Sequence, residues 1–327
     1  MLVSDNKPLV SVITLVYNHE NYLRDYFNGI LIQKTNFKFE VLIHDDASTD
    51  NSARIIKEYV DKYPDVFIPI FQTENQHSQG VHICDTFLYP KAKGKYIALC
   101  EGDDYWIDPL KLQKQVDYME VHDKCSMTCS DAKVVSPDGE LDWRRIAYSG
   151  LLTLEDIVLN GGLYINTVSI LFRGDIIRDA PSFMCNCHVG DYPLQIFMAL
   201  KGTVFYFCEK MAVYRFKMGN SWTAKNSSEN VDSLLPGVKS EVDMLKNFDV
   251  YSGYKYHSVF LQRIYNYIYF FSIMHYNERN RIWGVLSSYK KECHSFYSKK
   301  MLFLDFLMKI RLFRIYLVLQ RIKSRFS

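Results

Sequence analysis

Short apolar runs alternate with amphipathic stretches through the first hundred residues, a spacing that predicts βαβ units feeding a parallel sheet. Strands are expected at 9–16 (LVSVITLV), 39–44 (FEVLIH), 66–72 and 95–100 (KYIALC), with helices at 20–33, 51–62 and 80–89 between them. The second helix follows Ser48, Thr49 and Asp50, all good N-cap residues. The stretch PLKLQKQVDYMEVH, from residue 109, opens on proline and keeps one apolar face, which predicts a further helix. Strands at 125–135 and 167–172, a helix at 191–200 and strands across 203–216 complete a doubly wound unit. Residues 219–237, rich in Gly, Asn, Ser and Thr, lose all periodicity and read as a mobile loop, whereas 238–327 reads as helical throughout.

Composition narrows the class. With 327 residues, 48% of them hydrophobic, the chain can bury a full core. A formal net charge of +2 offers no long-range field for nucleic acid. Eight scattered cysteines lack the density of a disulfide framework and read as reduced thiols. The N-terminus reads as a strand rather than a signal peptide, and no apolar run reaches the length of a membrane span. Together these place the chain in the cytoplasm or on a membrane surface.

Ligands of an open parallel sheet bind beyond the carboxyl ends of its strands. Three such ends carry polar residues: Tyr17-Asn18, His44 to Asp50, and Cys100 to Trp106. Each cluster alone is ordinary turn and cap chemistry, and for Asp50 that reading suffices. Two acidic pairs on one rim, Asp45-Asp46 and Asp103-Asp104, would repel unless a cation or hydrogen-bond donor lay between them. Asp103-Asp104 suits Mg²⁺ or Mn²⁺, which take one or two carboxylates plus phosphate oxygens and water. Cys185, Cys187 and His188 are metal-capable, but their spacing is tight and no fourth zinc ligand is evident.

In order along the chain, VSVITLVYNHENYL (10–23), QKTNFKFEVLIHDDASTD (33–50), GKYIALCEGDDYW (94–106), VGDYPLQIFMALKG (189–202) and YRFKMGNSWT (214–223) resemble the inverting family 2 glycosyltransferases. The resemblance implies an α/β GT-A fold, a doubly wound, Rossmann-like mixed sheet flanked by helices, here with an α-helical C-terminal extension. It implies a catalytic domain at 1–225, a mobile loop at 226–237 and the extension at 238–327. Tyr17 would stack on the nucleotide base, Asp46 would meet its polar edge, and Thr14 or the backbone beside it would hold the same base. Asp103 would contact the ribose, Asp104 the metal, and Asp191 would be the catalytic base. Arg215 and Lys217 would face the diphosphate; many relatives carry His where Lys217 stands, which weakens the case for strict metal dependence. Trp106, two residues after the acidic pair, is expected either to wall the sugar pocket or to pack in the core.

The implied activity is transfer of a sugar, with inversion, from a nucleotide-diphosphate sugar such as a UDP-sugar to a hydroxyl of a glycan or lipid-linked glycan in polysaccharide synthesis. Residues 299–327 carry eight Lys or Arg against one acid among many apolar side chains, as expected of a basic helix packed on its neighbours or a partner subunit, or of a peripheral helix on an anionic membrane face. That would place the protein at the inner face of the cytoplasmic membrane. A catalytically silent nucleotide-sugar-binding module in a glycan-assembly complex is the rival reading. A nucleotidyltransferase would need a Gly-rich phosphate loop after the first strand, and Tyr17-Asn18-His19-Glu20 supplies none.

Overall fold

The computed structural model describes residues 7–143, 146–218 and 230–275, together with Glu278 and Ile282. The chain divides into two compact units, Met1–Tyr256 and His257–Ser327.

The first unit is a mixed ten-stranded sheet flanked by helices. Strands β1 (Val10–Val16), β2 (Phe39–Asp45), β3 (Phe67–Phe71) and β4 (Tyr96–Leu99) form its parallel half, in the order β3-β2-β1-β4. Beyond β4 the sheet turns antiparallel through β9 (Leu171–Arg173), then continues into β6 (Cys125–Ser136) and β10 (Thr203–Arg215), which run parallel to each other. The two-residue strand β5 (Tyr105–Trp106) pairs with the end of β10. Short strands β7 (Gly139–Leu141) and β8 (Gly150–Leu152) attach to β6 and β10. In β1 six of seven residues are buried, as a strand covered on both faces requires.

Helix α1 (Leu23–Leu31) buries Leu23, Tyr26, Phe27 and Ile30, the i, i+3, i+4, i+7 stripe that faces a sheet. The Phe27 ring stacks on Tyr59 of α2 (Ser52–Lys62) at 3.9 Å. Each such fully buried side chain is worth roughly 1.5–3 kcal/mol. Gly29 lies against β5: a Cβ there would sit 2.7 Å from the backbone N and O of Trp106. Backbone cannot swing aside as a side-chain tip can, so Gly29→Ala is expected to destabilise the fold by about 2–3 kcal/mol. A urea midpoint unchanged from wild type would contradict that contact.

Expected elements differ from the observed ones in three places. The helix expected at 80–89 is broken into short turns at His77–Gln79, Cys84–Leu88 and Tyr89–Lys91, because Gly80 takes φ +76° and Pro90 interrupts the backbone ladder. The strand expected at 167–172 is a tight turn, Thr167–Ser169, followed by β9. Residues 231–237, expected within a loop, open a 21-residue helix, α7 (Val231–Tyr251). Asn230 caps it by accepting from the Asp232 N–H at 2.9 Å, and Pro236, in the second turn, has no N–H to give the ladder.

That helix also moves the domain boundary. Helix α7 belongs to the first unit, its Phe248 meeting Phe183 edge-to-face at 4.9 Å, so the division falls after Tyr256 rather than between 225 and 238. The second unit contains α8 (His257–Met274). Residues 219–229 of the expected loop and the basic tail at 299–327 lie outside the described residues. No helix among the described residues is long and apolar enough to cross a membrane.

Candidate functional site

Because β1 pairs in parallel with both β2 and β4, the three strands deliver their carboxyl ends to one rim. The loops after β1 and β2 are zipped together there. Asn18 donates its N–H to Ser48 Oγ (2.9 Å) and accepts from the Thr49 N–H (2.8 Å). The His19 N–H reaches Ser52 Oγ (2.9 Å), and the Glu20 N–H reaches Asp50 (3.0 Å). Asn18, Ala47 and Lys217 all sit at φ between +55° and +58° on this rim. Such a conformation costs a non-glycine residue about 1–2 kcal/mol, most pointedly at Ala47, which has no polar side chain to compensate.

The two acidic pairs part company in the structure. Asp45 accepts from the Ser48 hydroxyl at 2.5 Å, and Asp46, 3% exposed, accepts from the N–H groups of Gln76 (2.7 Å) and His77 (3.1 Å). This pair latches loops onto the rim. The other pair is joined by an acid that the sequence pattern does not single out: Glu101, Asp103 and Asp104 each present a carboxylate oxygen within 4.8 Å of the others. Asp104 is 1% exposed; its Oδ1 accepts from the Arg215 N–H at 2.7 Å, while its Oδ2 is buried without a hydrogen-bond partner.

Burial pushes the Asp104 carboxyl well above the usual range, and Asp103 and Glu101 push it further against the opposing pull of Arg215. Glu101 is pushed up to about 8 by desolvation and then by Asp103 and Asp191. Three carboxylates within 4.8 Å of one another repel when ionised and gain most from a hard cation. The donor set therefore fits Mg²⁺ or Mn²⁺. Among the described residues this is the one group of three metal-capable side chains so close together; Cys185, Cys187 and His188 do not form one.

Asp191 opens helix α6 (Asp191–Lys201) and faces the cluster closely enough to raise the Glu101 pKa. Its Oδ1 accepts from the Tyr192 N–H (2.8 Å) and its Oδ2 from the Thr167 hydroxyl (2.8 Å). Desolvation raises its own pKa, with the Thr167 bond opposing. Thr167 lies 24 positions earlier in the chain, in the turn before β9, and no local pattern pairs it with Asp191. The Tyr214 hydroxyl, its pKa raised chiefly by burial, also feels Asp104, Glu101, Asp191 and Asp103, so all four acids share one neighbourhood.

Other expected site residues are corrected. Thr14 is fully buried, and its hydroxyl is engaged with Tyr26 Oη at 2.5 Å, so its side chain is not open to a base. Trp106 is 1% exposed, donates its indole N–H to the Val168 carbonyl (2.9 Å) and carries Lys111 Nζ 4.4 Å from its ring centroid. It is core, not a pocket wall. Arg215 is 8% exposed; its guanidinium donates to the Asp103 carbonyl (2.7 Å) and to Asp25 (2.5 Å) and packs on Tyr22 and Tyr105. It braces the acidic turn instead of facing an open diphosphate site. Tyr17 is 38% exposed on the rim, Asp103 lies 4.0 Å from His19 Nε2, and Lys217 is exposed just past β10.

A model of glycosyl transferase family 2 matches residues 11–178. Rv1520, an uncharacterized protein of Mycobacterium tuberculosis, is 37% identical over 221 residues, 65% of this chain and 60% of its own length, so this chain spans under two thirds of that relative. The Escherichia coli UDP-Glc:alpha-D-GlcNAc-diphosphoundecaprenol beta-1,3-glucosyltransferase WfaP is 32% identical over 112 residues, 34% of this chain and 41% of WfaP. The structure of Staphylococcus aureus TarS 1-349 with UDP-GlcNAc superimposes at TM-score 0.62 and 14% identity, over 94% of this chain and 89% of that one. At that identity the likeness establishes the shared GT-A fold.

Proposed function

Since the chain belongs to glycosyl transferase family 2, we propose that it transfers a sugar with inversion from a UDP-sugar to a hydroxyl of a glycan or lipid-linked glycan, with Asp191 as general base. The observation that carries this is the cluster of Glu101, Asp103 and Asp104 on the rim, with Asp191 within electrostatic reach of Glu101. Donor nucleotide class and acceptor type draw support from WfaP, named for a UDP-Glc donor and a diphosphoundecaprenol-linked acceptor, and from TarS, seen with UDP-GlcNAc.

In this reading the uracil stacks on exposed Tyr17, an aromatic contact worth about 1–3 kcal/mol. Asp46 acts by holding the 76–77 backbone beside the base. Asp103 reaches the ribose, and Lys217 offers the diphosphate a point charge. Glu101, Asp103 and Asp104 would hold a divalent cation whose chemistry is Lewis-acid neutralisation of the departing diphosphate. The acceptor hydroxyl loses its proton to Asp191 as it attacks the anomeric carbon from the face opposite the leaving group, which inverts the configuration.

Thr167 is a positioning residue for that step, donating to the oxygen of Asp191 opposite its backbone contact. Thr167→Val keeps the shape and removes the donor. It is expected to lower kcat about tenfold, as for a lost hydrogen bond to a charged group, and to raise the acid-side pKa of the rate profile with UDP affinity intact. A profile superimposable on wild type would remove Thr167 from the mechanism.

The reading is tested by incubating purified protein with UDP-GlcNAc, UDP-glucose and GDP-mannose, with Mn²⁺ or with EDTA, and following nucleotide release. UDP release is the expected result. Turnover of GDP-mannose alone overturns the donor class, and UDP binding without turnover across acceptors favours a silent binding module.

A further inference from the structure

Lys111, the first residue of helix α3 (Lys111–Val121), is fully buried, and the mechanism above does not use it. Lysine is almost never fully buried without a charged partner. Here an amide oxygen and an indole face stand where a carboxylate is expected: Nζ donates to Gln115 Oε1 at 2.7 Å and lies 4.4 Å from the Trp106 ring centroid. The other groups facing it are poor counter-ions. Cys100, just past β4, and Cys129 of β6 are buried with their pKa values pushed up, so both stay thiols; Asp108, in the loop before the helix, is paired with Lys114 at 2.9 Å. Burial pulls the amine down from an ordinary 10.5 to about 7, against the opposing pull of Cys100, Cys129 and Asp108.

Both partners of this amine grip one turn. Gln115, itself fully buried, donates its amide N–H to the Ser169 carbonyl at 2.9 Å, and Trp106 donates to the Val168 carbonyl at 2.9 Å. Those carbonyls belong to the Thr167–Ser169 turn, whose Thr167 hydroxyl holds Asp191 at 2.8 Å. An ammonium has three donors and no acceptor, so Gln115 must show it the oxygen and keep its N–H groups for Ser169. A neutral amine carries a lone pair and accepts either end of the amide. It also forfeits the cation–π hold on Trp106, and its hydrogen bond to Gln115 is about half as strong.

We propose that Lys111 is a proton-operated brace for the base: as the ammonium it fixes Gln115 and Trp106 against the turn that sets Asp191, and as the free amine it lets that turn loosen, so that sugar transfer slows. Sealed in the core, Lys111 acts as a positioning residue. The inference rests on the glycosyltransferase reading and concerns the regulation of that same site.

The test is the pH profile of UDP release from UDP-GlcNAc and UDP-glucose by full-length protein with Mg²⁺, for wild type, Lys111→Met and Gln115→Leu. Wild-type kcat is expected to fall about fivefold along an alkaline limb between roughly pH 6.5 and 9, with KM steady, the scale of a charge-assisted hydrogen bond reduced to a neutral one. Lys111→Met is permanently neutral and of similar length, so above the acid limb it should sit at the wild-type alkaline level at every pH. Gln115→Leu should do the same, and the double variant should lose nothing further. A wild-type limb persisting in either variant overturns the brace, as does turnover without any alkaline limb in wild type. Thermal melting tests the buried charge without turnover. A lysine whose folded pKa is lowered costs stability in full below about pH 7, and the cost fades as the pH rises toward 10.5. Lys111→Met should therefore melt higher than wild type at about pH 6 and lose that gain near pH 10. A Tm difference independent of pH overturns the titration. No UDP release from wild type at any pH is instead the failure of the donor reading, and the melting result then still decides Lys111.

Discussion

Asp191→Asn is expected to cut sugar transfer about 10²- to 10⁴-fold while leaving UDP affinity near wild type. The amide keeps an oxygen for the Tyr192 N–H and nearly the same volume, so helix α6 should start where it does now. What it loses is the ability to take a proton. The pH dependence is the sharper reading. Burial raises the Asp191 pKa above that of an ordinary aspartate, so the base holds its proton to a higher pH than a surface aspartate does. Wild-type kcat/KM should therefore rise with pH along an acid limb displaced upward, and residual activity in the variant should lack that limb. Steady-state UDP release across pH, with calorimetry for UDP, measures both. A variant within a few-fold of wild type would remove Asp191 from the chemistry.

The parallel half of the fold was legible because its strands are apolar runs of strand length, each closed by polar turn residues, and because α1 carries a clean helical stripe. The rim was legible for the same reason: a strand end is where the apolar pattern stops. What failed is contact at a distance. Glu101 looks like the first polar residue of a turn, and nothing nearby in the sequence says that the turn folds its carboxylate beside those of Asp103 and Asp104. Thr167 is joined to Asp191 across 24 residues. Trp106 stands two residues past the acids and so reads as a wall, but β5 pairing with β10 turns its ring inward under Val168. Arg215 does lie beside the acidic turn, as its position suggested, yet its guanidinium serves the Asp103 carbonyl and Asp25 rather than a diphosphate. Helix α7 was missed at its start because Pro236 and Gly237 look like breakers to a local reading, although both fall inside the helix.

Asp104→Asn is expected to make the protein more stable and nearly inactive. In the folded chain the Asp104 carboxyl has a buried oxygen without a partner and two acidic neighbours, so its pKa lies well above that of the unfolded chain. A carboxyl whose folded pKa is raised costs stability once the pH exceeds its unfolded pKa of about 3.9, and the cost grows as the pH climbs toward the folded value. The amide removes that cost and can donate to the neighbouring carboxylates, while its oxygen still accepts from the Arg215 N–H. The gain should be about 1–3 kcal/mol at pH 7, read as a Tm increase of roughly 3–10 °C, and should shrink toward zero near pH 4, where the carboxyl is protonated in both states. Mn²⁺ should narrow the gap from the other side, raising the wild-type Tm by mass action at a site the variant no longer completes. Transfer should fall by about 10² or more, the scale of losing a main electrostatic contact to the leaving group. Equal melting of the two proteins at pH 4 and pH 7 would show that Asp104 carries no such strain. Wild-type activity untouched by EDTA would show that the cluster's carboxylates serve the donor without a cation.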